Sequence, residues 1–423
     1  MKSFFKSYKS SIILLGSIVL GGIIGFLMGP KSIMFEPLGN LFLNLMFMMI
    51  VPLVFFSVTS AITNMSGMKR FGKIIINIVI VFTCTALIAA AVGVIGAYIF
   101  NPTKGVDVEA IKSVIGKAGE APKVEKVTAL QQLVNTFTVS DFINLFSRKN
   151  MLQLIVFSVL FGISTVLAGE KGKPVAKFLT SGSSVMIKMV NIIMYYAPIG
   201  LGCYFASVVG QLGSQILQGY LRVFVLYIIL SVIYYLGFFT IYAFLSGGNI
   251  GIKTFWKNAI APSVTALATC SSAACIPVNL ETTKRMGVPE DIAETVVPLG
   301  ANTHKDGSVF GGVMKVVFLF GIFGKDMHSF SAILGIIGVS FLVGAVMGAI
   351  PGGGMIGEML IISVYGFSPE VLPIIAVIST IIDAPATLLN STGNTVCAMM
   401  VSRLVEGKSW IANKLDSESD VTA

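Results

Sequence analysis

"IKTFWKNAIAPSVTALATCSSAACIPVNLETTKRMGVPED" (252–291) is the stretch on which the fold turns. Lys253 and Lys257 open it, and Lys284 and Arg285 close it. Basic residues gather on the inner side of a membrane protein, so both ends belong to the same face. One crossing needs about 20 apolar residues, and each arm here is shorter than that. The middle, "CSSAACIP", is small and partly polar. This pattern predicts a re-entrant hairpin that enters, turns on a polar tip and leaves by the face it came from. The stretch 330–366 repeats the pattern from the outer side, with "AIPGGGMIG" (349–357) at its tip. Irregular backbone at membrane depth persists only where protein or a polar cavity satisfies its N–H and C=O groups. Two interrupted segments entering from opposite faces point to inverted repeats around a midplane site.

The rest of the chain supports a polytopic membrane protein. Of 423 residues, 55% are hydrophobic and 12% charged, with a mean hydropathy of +0.88. A soluble domain carries about twice that charged fraction. Apolar runs such as "SIILLGSIVLGGIIGFLMG" (11–29) and "MLQLIVFSVLFGISTVLAG" (151–169) are long enough to cross a bilayer. Helices are predicted near 10–30, 37–65, 71–101, 150–169, 174–209 and 218–246. The first is read as a transmembrane helix and not as a cleaved signal, because the run is long and no small-residue cleavage site ends it.

The net charge of +9 does not mark a nucleic-acid partner. Lys2, Lys6 and Lys9 precede the first span; Lys69, Arg70 and Lys73 follow the second; Lys171, Lys173 and Lys177 follow the fourth. Lys253 and Lys257 follow the sixth, and Arg403, Lys408 and Lys414 follow the last. Every second connection is basic, which predicts cytoplasmic N- and C-termini. The absence of a peptide sorting signal fits a bacterial inner membrane. The five cysteines, Cys84, Cys203, Cys270, Cys275 and Cys397, lie in apolar stretches and read as buried thiols.

A cluster of ionisable residues interrupts the apolar second half at "PLGANTHKDGSVFGG" (298–312). Together with "TCSSAACIPV" (269–278), "IPGGGM" (350–355) and "IIDAPATLLNSTGN" (381–394), it makes four motifs in order. On these motifs the chain resembles the glutamate transporter homologues, the dicarboxylate/amino acid:cation symporter family. The first half is similar mainly in hydropathy and in "FNP" (100–102).

The resemblance implies an all-α polytopic membrane protein with eight transmembrane helices plus two re-entrant helical hairpins. It implies a homotrimer in which scaffold and transport domains slide past each other as an elevator. Residues 1–70 would carry scaffold helices one and two, and 71–101 transport-domain helix three. Residues 102–213 would hold an extracellular insertion and scaffold helices four and five. Residues 214–410 would complete the transport domain with helix six, hairpin one, helix seven, hairpin two and helix eight. Residues 411–423 would form a disordered cytoplasmic tail.

Asp383 is the only acid in the middle of the last span, and an intramembrane carboxylate is costly enough to be functional by default. By resemblance it binds a substrate ammonium. Asn390, on a nearby face, would by resemblance meet the substrate carboxylate, as would backbone N–H groups at Ser271 and Ser272, where a half-helix N-terminus is partly positive. Ser308, Gly354, Ala386 and Thr387 complete the implied substrate site. Members that take acidic substrates carry an arginine where this chain has Ala386, or beside the first tip where it has Cys270. Burying a second carboxylate without a partner costs several kcal/mol. A neutral amino acid is therefore expected, with a dicarboxylate or acidic amino acid as the alternative should Lys305 reach into the site.

The resemblance implies no organic cofactor and gives the coupling cation, Na+ or H+, to Thr85, Gly300, Asn302, His304, Lys305, Asp306, Asn390 and Asn394. Sodium itself would sit at Gly300, Asp306, Asn390 and Asn394. This chain departs from the family's Asn-Met-Asp by reading His304, Lys305 and Asp306. The family's third-helix ligand positions become Phe82, Thr85 and Ala86, and its last eighth-helix acid becomes Asn394. One expectation is that Lys305 pairs with Asp306 and replaces a sodium ion, giving a Na+-independent exchanger, with His304 adding proton dependence. The other is that Lys305 points elsewhere, toward Glu358, while backbone carbonyls keep Na+.

Other classes are poorly served. "GGGMIG" (352–357) lacks the strand context of a dinucleotide loop. Ser271, His304 and Asp306 lack a nucleophile elbow, so no enzyme is expected. An anion channel is the competitor from a different class.

Overall fold

The computed structural model describes residues 2–63, 69–100, 102, 134, 138–147, 150–212, 214–347, 353–368, 371–408 and 410–411. Most of the expected 102–148 insertion, the second tip at 348–352 and the tail from 412 on lie outside the described residues.

The described residues are almost wholly helical. The first half holds α1 (Lys2–Met28), α2 (Glu36–Thr63), α3 (Lys69–Phe100), α4 (Met151–Leu167), α5 (Lys173–Met194) and α6 (Ala197–Leu212). The single helix expected over 174–209 is bent by 57° between α5 and α6. Pro198 at the start of α6 offers no backbone N–H to the preceding turn, so the helix restarts there.

The second half opens with α7 (Ser214–Ile233), a π-helical turn at Tyr234–Phe238, and α8 (Phe239–Asn258). The end expected at 246 coincides with a break inside α8 at Gly247 and Gly248. There follow α9 (Ile260–Thr269), α10 (Ser272–Arg285), α11 (Glu290–Thr303), α12 (Asp306–Phe323), α13 (Phe330–Val346), α14 (Gly353–Tyr365) and α15 (Leu372–Glu406). The arms of the two expected hairpins are α9 with α10 and α13 with α14; each arm packs on its mate.

Among the described residues, five helical stretches are long and apolar enough to cross a membrane: Gly16–Phe42, Gly72–Phe100, Gln218–Asn258, Glu290–Phe323 and Ile374–Glu406. The bent α5–α6 pair makes a sixth. Large apolar side chains stand outward on these helices, among them Phe26, Leu27, Ile76, Ile95 and Leu221. Such a surface suits lipid and not water.

Packing divides the helices into two groups. α1, α2, α4, α5 and α6 pack chiefly on one another. α3 and α7 through α15 form the second group, centred on α12 and α15. Every residue of α12 from Asp306 to Phe320 is buried. This helix therefore carries its charges, Asp306 and Lys315, into the interior, where each needs a partner.

Candidate substrate and cation site

α11 and α12 are two halves of one interrupted helix. His304 (φ −120, ψ 111) and Lys305 (φ −144, ψ 72) are extended between them. In extended backbone, neighbours point to opposite sides and residues two apart to the same side. His304 and Asp306 accordingly share one face, and Lys305 leaves by the other. Gly307 follows because the break lies directly on α15: a Cβ there would collide with the backbone of Ala386.

On the first face, the His304 ring is enclosed. Its Nε2 lies 2.7 Å from Thr85 Oγ1 and 3.0 Å from Asp306 Oδ1. Its Nδ1 lies 2.9 Å from Asn394 Oδ1. Phe82 stacks on it at 4.3 Å between centroids, and Cys397 Sγ closes the site at 3.9 Å from Nε2. Gly300 sits beneath, where a Cβ would strike Asn394 and Phe82.

The other oxygen of Asp306 is held from the π-helical turn that follows α7. The Tyr234 hydroxyl lies 2.9 Å from Asp306 Oδ2 and 3.1 Å from the Thr85 carbonyl, with the Tyr242 hydroxyl 3.0 Å away. Its single proton is best given to the carboxylate, the charged acceptor. Tyr234 reaches inward from the π-helical turn, a distortion that recurs at functional sites. Two turns earlier Tyr227 donates to Gly307 O at 2.7 Å, and Tyr220 donates to Ile374 O at 3.0 Å. Sequence reading missed this ladder. Its signal was three tyrosines spaced by seven in an apolar span, where each hydroxyl needs a partner.

On the opposite face, the expected Lys305–Asp306 ion pair is not formed. Alternation of the extended break sends the two side chains apart. The alternative partner, Glu358, is also taken: Lys315 pairs with it at 3.2 Å and Ser379 donates to it, with lysine and glutamate both buried. Lys305 is 6% exposed and makes no hydrogen bond or close ion pair among the described residues. It lines a recess with Phe82, Leu299, Thr303 and Phe341.

Asp383 likewise makes no hydrogen bond or close ion pair among the described residues. It is exposed and lines a cavity of about 140 Å³ between the two packing groups. Phe42, Met194 and Leu201 form one wall; Gly354, Met355, Glu358 and Ser379 form the other.

The remaining expected residues divide. Asn390 holds α12 to α15: its Oδ1 accepts the Ser308 N–H, and its Nδ2 donates to Ser308 Oγ, both at 3.1 Å. Ala386 and Thr387 are buried on the same helix. Ser271 caps α10, accepting the Ala274 N–H at 3.3 Å, and Ser272 is buried behind it. Cys270 before them adopts a left-handed conformation (φ 48), which only this non-glycine residue does among the described residues. Asn302 does not join the cluster. It is exposed, and its amide donates to Pro298 O at 3.1 Å within its own helix.

A model of the sodium:dicarboxylate symporter family matches residues 11–404. The chain belongs to that family. Among similar proteins, a proton/sodium-glutamate symport protein of Bacillus caldotenax is 28% identical over 395 residues, covering 91% of this chain and 92% of the relative. A proton/sodium-glutamate symport protein of Bacillus subtilis is 29% identical over 396 residues, covering 91% and 90%. A C4-dicarboxylate transport protein of Ralstonia nicotianae is 26% identical over 405 residues, covering 95% and 93%. A sodium:dicarboxylate symporter is a transporter and not an enzyme, and its kind couples transport to a cation.

The family implies sodium, and the residues here do not fit it well. Na+ is a hard cation that needs several free oxygen ligands. The Thr85 hydroxyl and the Asn394 amide oxygen are both bound to the His304 ring, and Asp306 is shared between that ring and Tyr234. The Gly300 carbonyl accepts the His304 N–H at 2.9 Å. Asn390 is engaged with Ser308. Among the described residues no group of three or more His, Cys, Asp or Glu is arranged for a metal.

Proposed function

We propose that this chain is an elevator-type symporter that carries a neutral, zwitterionic amino acid with a cation across the bacterial inner membrane. One observation carries the reading: the buried Lys305 and Asp383, which lines the cavity between the packing groups, each lack a hydrogen-bond or close ion-pair partner among the described residues. A lone ammonium and a lone carboxylate held apart inside a protein are each expensive. A molecule with one carboxylate and one ammonium would complete both. Asp383 would take the substrate ammonium and Lys305 its carboxylate. Further donors for that carboxylate are the N–H groups at the α10 N-terminus, beside Ser271 and Ser272. Asn390 would join once Ser308 releases it.

The site's charge argues for overall neutrality of the cargo. Lys305 and Asp383 sum to zero, and Lys315 is neutralised by Glu358. A second substrate carboxylate would find no free cation. Ala386 and Cys270, where arginines serve acidic-substrate relatives by the resemblance, supply none.

The two packing groups support the division into a scaffold of α1, α2, α4, α5 and α6 and a transport domain of α3 and α7–α15. The short arms of α9, α10, α13 and α14 support two re-entrant hairpins on an eight-span, inverted-repeat plan. Homotrimeric assembly, contact with bilayer lipid and cytoplasmic termini belong to the same proposal, the last supported by basic residues in alternate connections.

The test is uptake of labelled neutral amino acids, acidic amino acids and C4-dicarboxylates into proteoliposomes. Saturable uptake of neutral amino acids alone is expected. Uptake confined to acidic amino acids or dicarboxylates would overturn the substrate reading, and a conductance with no saturable uptake would favour a channel.

A further inference from the structure

The His304 ring stands where the oxygens of three helices converge: Thr85 from α3, Asp306 from α12 and Asn394 from α15. The ring takes up all three: Nδ1 lies 2.9 Å from Asn394 Oδ1, and Nε2 lies 2.7 Å from Thr85 Oγ1 and 3.0 Å from Asp306 Oδ1.

Asp306 supplies the second line of argument. Its Oδ2 accepts from Tyr234, but Oδ1 receives no hydrogen bond although it is wholly buried. The ring edge stands 3.0 Å from that oxygen, in the place any other ligand to it would need. Phe82 and Cys397 lie against the same ring.

We propose that the His304 ring fills this site and excludes sodium from it. This rests on the transport reading above for its meaning: one coupling ion of the family's usual scheme is replaced by a tethered side chain. A sodium ion placed to use Thr85, Asp306 and Asn394 would coincide with the Nε2 edge of the ring. The oxygens it would need are also already taken up by the ring. The expected exclusion is thus steric, with the ligands occupied.

Sodium binding to the purified full-length chain tests this without substrate. Radioactive sodium binding is measured directly, and melting temperature is compared in sodium chloride and choline chloride at equal concentration. The wild-type chain is expected to bind no sodium saturably and to melt alike in both salts. H304N replaces the ring with a smaller amide that offers an oxygen. It is expected to gain saturable binding and to melt several degrees higher in sodium, because a ligand that binds only the folded state stabilises it. H304Q serves the same purpose should H304N fold poorly. Saturable sodium binding by the wild-type chain that D306N abolishes would overturn the proposal. Since neither readout needs transport, a chain that moved no amino acid would defeat the functional reading while leaving this result intact.

Discussion

The fate of three consecutive side chains, His304, Lys305 and Asp306, decides the chemistry of this site. Their presence in an apolar segment was legible in the sequence and marked them as functional. Their partners were not. Sequence alone offered Asp306 or Glu358 as the partner of Lys305, whereas His304 stands beside Asp306 and Lys315 pairs with Glu358. Pairing depends on two backbone dihedrals that composition does not encode. Two substitutions follow at this scale. D383N removes the charge expected to hold the substrate ammonium, and should weaken amino-acid binding roughly ten- to hundredfold in an equilibrium binding assay, the value of a charged hydrogen bond. K315M leaves Glu358 buried without its ion-pair partner and should destabilise the fold by about 3–5 kcal/mol. The double variant K315M/E358Q should recover part of that loss in thermal melts, since the uncompensated charge is gone.

Helical elements were read well where hydropathy changes sharply and poorly where a kink hides inside an apolar run. The end of the 218–246 helix matches the break at Gly247 and Gly248 because two adjacent glycines interrupt the pattern. The bend between α5 and α6 was missed because Pro198 sits among apolar residues and leaves hydropathy unchanged. The π-helical turn at Tyr234 was equally invisible, since it adds no residue type that a straight helix would refuse. From that turn Tyr234 reaches Asp306 of α12 and the Thr85 carbonyl of α3, while Tyr227 and Tyr220 of α7 reach α12 and α15. Y227F would leave the Gly307 carbonyl without its donor at the broken helix. The expected cost is about 1–3 kcal/mol in thermal stability. An unchanged melting temperature would mean that the ladder contributes nothing to holding α7 in place.

For the molecule as a whole, the two packing groups meet at the cavity that Asp383 faces. Leu201 lines it from α6 in one group, and Thr380 lines it from α15 in the other. An elevator requires these walls to slide apart. In a cysteine-free background, L201C with T380C should therefore lose transport when joined by a short bifunctional thiol reagent, and regain it with a cleavable reagent after reduction. Transport undiminished by a verified cross-link would contradict relative movement of the groups. A two-part plan was expected only through the family resemblance, which four motifs in order carry. The cavity's position between the groups was not legible, because it depends on how helices distant in sequence approach one another.

The central claim is that Lys305 and Asp383 together read a zwitterion. The most direct measurement is equilibrium binding of one small neutral amino acid beside two near-isosteres, its amide, which lacks the carboxylate, and its des-amino acid, which lacks the ammonium. Binding of the amino acid alone, with K305M and D383N each losing it, is the predicted result. Equal binding of the des-amino acid, or binding untouched by K305M, would show that the bare pair is not what recognises the substrate.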